Sequence, residues 1–323
     1  MSPDQEKALL ELLQKGIPLT RKPFEEIAFS CGVSEEDVLN YVERLRSEGV
    51  VRRFGAVFDT RRLGYKSILC ASSIPKDKLD EYAAKITPLI GVTHCYVREM
   101  PDAECPNLWF TLSYPQDIFT AMMDEVSSRL APYEVHFLPA TKRYKIDVIF
   151  GATIRNREEK TDFNEPVTSR ERALIKALQG DTELCSDYFT KIAENSQMPE
   201  WDVMSTLEMW LRSGRLKRIG LLLRHRQAGY HANGMCCWNV EGGDTLEFGR
   251  ALAEQGEVSH CYERPSLPGF PYNLYAMIHA KTLDEANSIF NKIQASTGLS
   301  DGIILISTKE YKKTSMTFFA SHK

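Results

Sequence analysis

The segment RRFGAVFDTRRLGYK at residues 52–66 is answered by KRIGLLLRHRQAGYH at residues 217–231, a shift of 165 residues (217 − 52). The triplet HCY occurs at residues 94–96 and again at 260–262, a shift of 166 (260 − 94). ATKRYK, which starts at residue 140, answers STKEYK, which starts at residue 307, a shift of 167. Short loop insertions produce such single-residue drift. The sequence therefore predicts one structural unit duplicated in tandem, which we call the first and second repeats.

Each repeat opens with a pattern of three short helices and a strand. In the first repeat, leucines at helical spacing end at Gly16, a second short helix ends at Gly32, and Ser34 is a suitable N-cap for a third. VVRRFGAVF then has the composition of a strand. This order predicts a winged helix-turn-helix domain at residues 1–63 and a second one at 169–228.

The rest of each repeat is patterned as strand, helix, strand, strand, helix, strand. That order predicts the ferredoxin-like βαββαβ fold at residues 64–152 and 229–323. Residues 153–168, TIRNREEKTDFNEPVT, are polar and aperiodic and are predicted to be the linker. The predicted fold class is α+β, a tandem duplication of winged helix-turn-helix plus ferredoxin-like domains.

The strand with the first HCY triplet has a two-residue period that assigns its side chains to faces. The period predicts Val92, His94 and Tyr96 on one face, and Thr93, Cys95 and Val97 on the other. Val258, His260 and Tyr262 are predicted to repeat the first arrangement in the second repeat.

The composition indicates which class of protein this is. The chain has 323 residues, 43% hydrophobic residues and a formal net charge of −4, and no apolar run approaches the roughly 20 residues that span a bilayer. The N-terminal sequence has early acidic residues and no cleavage site of the secretory type. Eight cysteines show no metal or cluster spacing, which indicates reduced thiols. We expect a cytoplasmic protein that does not associate with membranes.

Charge argues against DNA binding by the helix-turn-helix domains. The predicted recognition helix of the first repeat begins with Glu35, Glu36 and Asp37, and that of the second contains Glu200 and Asp202. Carboxylates at these positions repel phosphates, whereas DNA affinity depends on Lys and Arg aimed at them. A nucleic-acid partner is therefore not expected.

Basic residues recur instead at matched positions outside these helices, which indicates a polyanionic ligand. They are Arg52, Arg53, Arg61, Arg62, Lys142, Arg143 and Lys145 in the first repeat, and Lys217, Arg218, Arg224, Arg226, Lys309, Lys312 and Lys313 in the second.

The order of domains resembles the Lrp/AsnC regulators, and the motifs resemble the siroheme decarboxylases of haem and haem d1 biosynthesis. RRFGAVFDTRRLGY, GVTHCYVRE, NLWFTL and LPATKRYKI are similar to one subunit of that family. RHRQAGYHANGMCCW, EVSHCYERP, PYNLYAMIHA and STKEYKKTSM are similar to the other. The resemblance implies a natural fusion of the two subunits, a lyase that removes the C12 and C18 acetate carboxyl groups of siroheme to give 12,18-didecarboxysiroheme.

The resemblance also implies roles for residues. Siroheme is a flat macrocycle with eight carboxylates, which fits the basic clusters, and its ring can delocalise the carbanion left by loss of CO2. His94 and His260 are the candidates for general acids, because histidine suits proton delivery near neutral pH, or for groups that position a protonated carboxyl. The candidate substrate-binding residues are Arg52, Arg53, Arg98, Trp109, Lys145, Arg218, His225, His231, Tyr262, Lys309 and Lys312.

His225 and His231 occur in the second repeat only, where the first has Thr60 and Lys66. Either is a candidate axial ligand to the substrate iron, although the sequence does not choose between them and His94 or His260. No cofactor beyond the iron tetrapyrrole is expected, and the chain could form a homodimer.

Two alternatives belong to other classes. A transcriptional regulator of Lrp type that senses haem or another tetrapyrrole would bind DNA in a gel-shift assay at low salt. A haem-binding chaperone would bind the pigment without turnover.

Overall fold

The computed structural model describes residues 1–99, 105–146, 165–224, 232–242 and 244–320. In the first repeat the elements are α1 Pro3–Lys15, α2 Pro23–Cys31, α3 Glu35–Ser47, β1 Val51–Phe58, β2 Tyr65–Ser72, α4 Leu79–Ile86, β3 Val92–Glu99, β4 Leu108–Pro115, α5 Phe119–Leu130, β5 His136–Leu138 and β6 Lys142–Ile146. In the second they are α6 Ser169–Gln179, α7 Tyr188–Ser196, α8 Glu200–Ser213, β7 Leu216–Leu223, β8 Ala232–Trp238, α9 Thr245–Glu254, β9 Val258–Glu263, β10 Leu274–Ala280, α10 Leu283–Thr297 and β11 Gly302–Lys313.

The chain forms two compact units, each containing parts of both repeats. The helical unit comprises residues 1–64, the described part of 149–228, and residues 317–320. The sheet unit comprises the described parts of 65–148 and 229–316. The predicted α+β class with duplicated helix-turn-helix and ferredoxin-like domains is confirmed. Among the described helices, none combines the length and apolar character needed to cross a membrane.

Capping residues set the helix boundaries of the helical unit. Ser2, Ser34 and Thr168 each form a capping box with the residue three positions later. Gly32 ends α2 in the left-handed conformation, at φ 63°. These are the local signals that the sequence carries, and the helices begin and end close to where it predicts them.

The two predicted wing strands pair with each other. β1 and β7 form an antiparallel two-stranded sheet in which Gly55 lies opposite Gly220. Each strand also lies against a helix of the other repeat. A Cβ on Gly55 would lie 2.5 Å from the Gly180 oxygen, and one on Gly220 would lie 2.5 Å from the Leu13 oxygen. Glycine is required at both positions because the backbones approach so closely.

The sheet unit contains strands in the order β5-β2-β4-β3-β11-β8-β10-β9-β6. Helices α4 and α5 cover one face of the first-repeat strands with a core that includes Cys95, Val97 and Phe110. Helices α9 and α10 cover the second-repeat strands with a core that includes Cys261 and Trp238. Each half thus has one face covered by helices, as in the ferredoxin-like fold.

The repeats exchange their C-terminal strands. β6 of the first repeat pairs with β9 of the second, and the end of β11 pairs with β3 of the first repeat. The registers match: Lys145 lies opposite Cys261, and Lys312 lies opposite Cys95. The recurring TK-x-YK motif is therefore the strand that joins each repeat to the other.

The two-residue period assigned Val92, and Val258 at the equivalent position of β9, to the wrong face. Val92 belongs to the helix-covered core together with Cys95 and Val97. The register of β3 against β4 shifts between Val92 and His94, because a bulge there adds one residue to the alternation. β9 has the same irregularity between Val258 and His260.

The C-terminal segment departs from the predicted division of the chain. We predicted a second ferredoxin-like domain at 229–323, but the chain from residue 317 groups with the helical unit. Phe318 packs against Phe58 with ring centroids 6.0 Å apart, and its backbone N–H donates to Gln179 Oε1 at 2.7 Å. The predicted linker at 153–168 lies largely outside the described residues.

Candidate functional site

The candidate site lies in the sheet unit, in an inner layer that contains residues from both repeats. Trp109 of β4 packs against Phe270, with ring centroids 5.7 Å apart. The other buried members of this layer are Ala71, Leu138, Met235, Cys237, Tyr275 and Leu305. The two helix-covered cores are separate clusters. This third cluster therefore lies on the side of each half that the helices do not cover, and it joins the two halves there.

The two HCY strands contribute equivalent stripes of side chains to this region. The His94 and Tyr96 rings lie 6.2 Å apart at 35°, and the His260 and Tyr262 rings lie 6.1 Å apart at 24°. His94 Nδ1 is 2.9 Å from Thr93 Oγ1, and both histidines are half-buried. Each imidazole is therefore held beside an aromatic ring and keeps partial access to solvent.

An arginine follows the tyrosine in each stripe. Arg98 is 5% exposed, its guanidinium lies 5.3 Å from the Tyr96 ring centroid, and its Nη1 donates to the Leu305 oxygen at 3.3 Å. The Arg264 guanidinium lies 4.8 Å from the Tyr262 ring centroid, and its Nη1 donates to the Leu138 oxygen. Burial lowers the pKa of Arg98 to about 10 and also lowers the pKa of Arg264.

Among the described residues, no carboxylate forms an ion pair with either arginine. Arg264 Nε is also buried and has no hydrogen-bond partner within the described part of the chain. A buried cation without a counter-charge is unfavourable for the folded chain alone. The inner layer is therefore electrostatically suited to an anion.

Arg98 was among the substrate-binding residues predicted from the sequence, whereas Arg264 was not. The signal was present, since Arg264 stands 166 residues after Arg98 (264 − 98), the shift that relates His260 to His94. The residue between tyrosine and arginine differs, Val97 in one motif and Glu263 in the other. The two motifs are therefore less similar in sequence than in structure.

Three lysines that were predicted to bind substrate have protein partners. Lys145 Nζ donates to the Gln255 oxygen at 2.8 Å, and Lys312 Nζ donates to the Thr87 and Leu89 oxygens at 2.6 and 2.9 Å. Lys309 Nζ lies 2.5 Å from Asp80 Oδ1 at the surface. These contacts explain why lysine recurs at the strand exchange, and a role in substrate binding stays a prediction.

Trp109 lies in the inner layer, and its Nε1 donates to the Pro106 oxygen at 2.6 Å. Tyr262 lies beside that layer. Arg52, Arg53 and Arg218 belong to the helical unit. Burial lowers the pKa of Arg53 to about 10, and its Nη2 donates to the Ala56 oxygen at 3.0 Å.

His225 and His231, the candidate axial ligands of the second repeat, lie outside the described residues. Their predicted roles stay predictions.

The acidic N-termini of both recognition helices contact the other repeat. Glu35 at the start of α3 accepts from Ser186 Oγ at 3.0 Å, and Glu200 at the start of α8 lies 3.5 Å from Arg21 Nε. Residues 21 and 186 are equivalent at a shift of 165. The ends that would read bases in a DNA-binding protein are therefore acidic and engaged with the chain itself.

Fold and inner layer together define a protein with AsnC-like ligand-binding domains. The family model described as AsnC-like ligand binding domain matches residues 62–145 and 227–312. The model described as siroheme decarboxylase NirDL-like HTH domain matches residues 6–52.

The chain belongs to the siroheme decarboxylase family, as its motifs predict. It is 33% identical over 320 residues to the siroheme decarboxylase of Hydrogenobacter thermophilus, covering 97% of this chain and 94% of that protein. The siroheme decarboxylase beta subunit of Oleidesulfovibrio alaskensis is 37% identical over 153 residues, which is 47% of this chain and 97% of the subunit. A single subunit thus corresponds to half of this chain.

A crystal structure of the siroheme decarboxylase NirDL in complex with an iron-uroporphyrin III analogue matches the whole fold. It superposes with a TM-score of 0.76 at 29% identity, covering 98% of this chain and 95% of that one. The arrangement of both repeats is therefore shared with a protein that binds an iron tetrapyrrole.

Proposed function

We propose that this chain decarboxylates siroheme, removing the C12 and C18 acetate carboxyl groups to give 12,18-didecarboxysiroheme. Full-length similarity to siroheme decarboxylases supports the reaction class. The observation that carries the proposal at the level of residues is the repeated His-x-Tyr-x-Arg stripe beside the inner layer, with Arg98 buried and Arg264 partly buried.

Arg98 and Arg264 are proposed to hold carboxylates of the substrate. A guanidinium binds a carboxylate through two parallel N–H donors, and the bond is stronger where water is excluded. Each guanidinium uses Nη1 to donate to an uncharged carbonyl, that of Leu305 or Leu138. Its other N–H groups can donate to such an anion. Arrival of the carboxylates would also neutralise the buried charge.

His94 and His260 are proposed as general acids. When the bond between methylene and carboxyl carbon breaks, CO2 leaves and the electron pair stays on the methylene, where the conjugated ring delocalises it. An imidazolium then gives its proton to that carbon, so that the acetate arm becomes a methyl group and the neutral imidazole takes a proton back from solvent. Tyr96 and Tyr262 keep the two rings oriented.

The finer expectations from the sequence remain parts of this proposal. Substrate contacts by Lys145, Lys309, Lys312, Arg52, Arg53 and Arg218, ligation of the substrate iron by His225 or His231, and operation without a further cofactor each await a test. We also propose a cytoplasmic location and a homodimer of the fused chain. Light scattering on the purified chain decides the oligomeric state.

A regulator of Lrp type is the weaker alternative, because full-length relatives are decarboxylases and the recognition helices are acidic at their starts.

Anaerobic incubation with siroheme, followed by mass spectrometry of the pigment, tests the reaction. We expect loss of two CO2 per macrocycle, and we expect His94→Ala or His260→Ala to stop at least one of the two steps while pigment binding persists. Intact siroheme after incubation with the unaltered chain would refute the reaction. Full turnover by both variants would refute the proton donors alone.

Arg98→Met and Arg264→Met test the carboxylate role, with Arg98→Lys as the charge-conserving control. Truncating one member of a buried charge pair costs about 2–5 kcal/mol of binding, so siroheme affinity should fall at least about tenfold. Stability of the free chain should be kept or raised, most clearly in Arg98→Met, because the charge removed there is buried. Unchanged affinity with lowered stability would assign both arginines a purely structural role.

A further inference from the structure

Ser259 lies between two imidazole rings in the second repeat. Its Oγ is 3.0 Å from His260 Nδ1 and 3.1 Å from His279 Nε2. The same oxygen donates to the Met277 carbonyl oxygen at 3.1 Å. Ser259 and His260 belong to β9, and Met277 and His279 to the neighbouring β10.

The three contacts can be satisfied together in one way only. A hydroxyl has one hydrogen and two lone pairs. If the hydrogen of Ser259 is directed at the Met277 oxygen, both imidazole nitrogens must donate to Ser259 Oγ. The proton of neutral His260 then sits on Nδ1, and the proton on the facing side of His279 sits on Nε2. A protonated His260 then carries its second proton on Nε2.

His279 lies on the same side of the sheet as the candidate site. Ala276 and Ile278 belong to the helix-covered core, whereas Tyr275 and Met277 belong to or contact the inner layer. The two-residue period of β10 therefore puts His279 on the inner side with Met277.

The first repeat lacks this arrangement. At a shift of 166, Ser259 corresponds to Thr93, which lies 2.9 Å from His94 Nδ1. His279 corresponds to Ser113, whose hydroxyl instead contacts Ser67 on β2. Because the Thr93 hydroxyl can either donate or accept, it does not select a tautomer of His94 in the same way.

We propose that Ser259 and His279 are positioning residues that fix the tautomer and ring orientation of His260, so that the two half-sites are not equivalent. The inference rests on the proposed function for its catalytic consequence. In metal sites, loss of the group that orients a ligating histidine costs about 10–100-fold in affinity or activity, and we expect an effect of similar size here. Loss of His279 should therefore slow one of the two decarboxylations and leave the other unchanged.

Histidine 15N–1H correlation NMR on the chain without pigment tests the tautomer directly. His260 should show the Nδ1–H form in the unaltered chain and a mixture of tautomers in His279→Leu. His279→Gln should restore the Nδ1–H form, because its amide N–H can donate to Ser259 Oγ. Ser113→Ala, at the equivalent position of the first repeat, should leave the His260 signals unchanged. A His260 spectrum identical in His279→Leu and the unaltered chain would overturn the inference.

Turnover supplies the second readout. His279→Leu should accumulate a singly decarboxylated pigment, with the affected step slowed about 10–100-fold and KM for siroheme unchanged. His279→Gln and Ser113→Ala should give the doubly decarboxylated product. Equal loss of both steps in His279→Leu would also overturn the inference. If the unaltered chain leaves siroheme intact, the proposed function fails while the NMR experiment still decides the positioning role.

Discussion

Lys145 and Lys312 bind carbonyl groups at the C-terminal ends of equivalent helices in opposite repeats. Lys145 reaches the Gln255 oxygen just after α9, and Lys312 reaches the Thr87 and Leu89 oxygens just after α4. A cation at a helix C-terminus is favourable because it satisfies exposed carbonyls and opposes the helix dipole. The strand exchange between repeats is therefore secured by side chains as well as by the β-ladder.

Lys312→Met should destabilise the chain by about 1–3 kcal/mol, because the Thr87 and Leu89 oxygens each lose a charged donor, while Leu89 keeps the bond from the Val92 N–H. Urea unfolding measures the change. Lys309→Met is the matched control on the same strand: its pair with Asp80 is exposed and screened by water, so its loss should change the unfolding midpoint little. If Lys312→Met unfolds like the unaltered chain and yet binds siroheme more weakly, the lysine serves the substrate and not the fold.

Gly249→Ala should destabilise the exchange at the other end of the sheet. A Cβ on Gly249 would lie 2.4 Å from ring atoms of Tyr144, so the Tyr144 ring, or β6 with it, would have to shift. Overpacking of this kind costs about 1–3 kcal/mol. Gly256→Ala is the control, since a Cβ there meets nothing within 4 Å. Equal unfolding midpoints for the two variants would show that Tyr144 moves aside without cost.

Alkaline pH should reduce the stability that the Tyr144 hydroxyl contributes. Burial, together with the hydrogen bond to Glu263, raises the pKa of Tyr144 to about 12 from its ordinary value of 10.0. The unfolded chain loses this proton first, so the contribution is complete below pH 10 and is lost between pH 10 and 12. Thermal unfolding of Tyr144→Phe and the unaltered chain should show a constant difference below pH 10 that shrinks above it. A difference that grows with pH would reverse the assigned direction.

Local sequence signals predicted most of the elements. Ser34 and Gly32 mark helix ends through capping and left-handed φ, and these are properties of a few neighbouring residues. The strand exchange could not be predicted in this way, because Lys145 and Lys312 meet carbonyls more than 100 residues away along the chain. A repeat in the sequence shows that two units are alike, but not whether each closes on itself.

In the candidate site, too, the sequence predicted some residues, and others depend on contacts between strands. His94 and His260 were identifiable because the repeat preserves them as letters. The bulge that moves Val92 to the other face depends on the register with β4, which alternation alone does not contain. His279 gave no signal, because its importance comes from Ser259 on a neighbouring strand.

The helical unit provides a final prediction, that the chain does not bind duplex DNA. Phosphate contacts dominate such affinity at low salt, and here Glu35 and Glu200 stand at the starts of the recognition helices, in contact with Ser186 and Arg21. A gel-shift assay at about 50 mM salt with random duplex should show no retarded band at micromolar chain, a range that captures non-specific DNA binders. Adding siroheme should not change this. A retarded band that weakens steeply with salt would mean that basic side chains elsewhere reach the phosphates, and it would restore the regulator alternative.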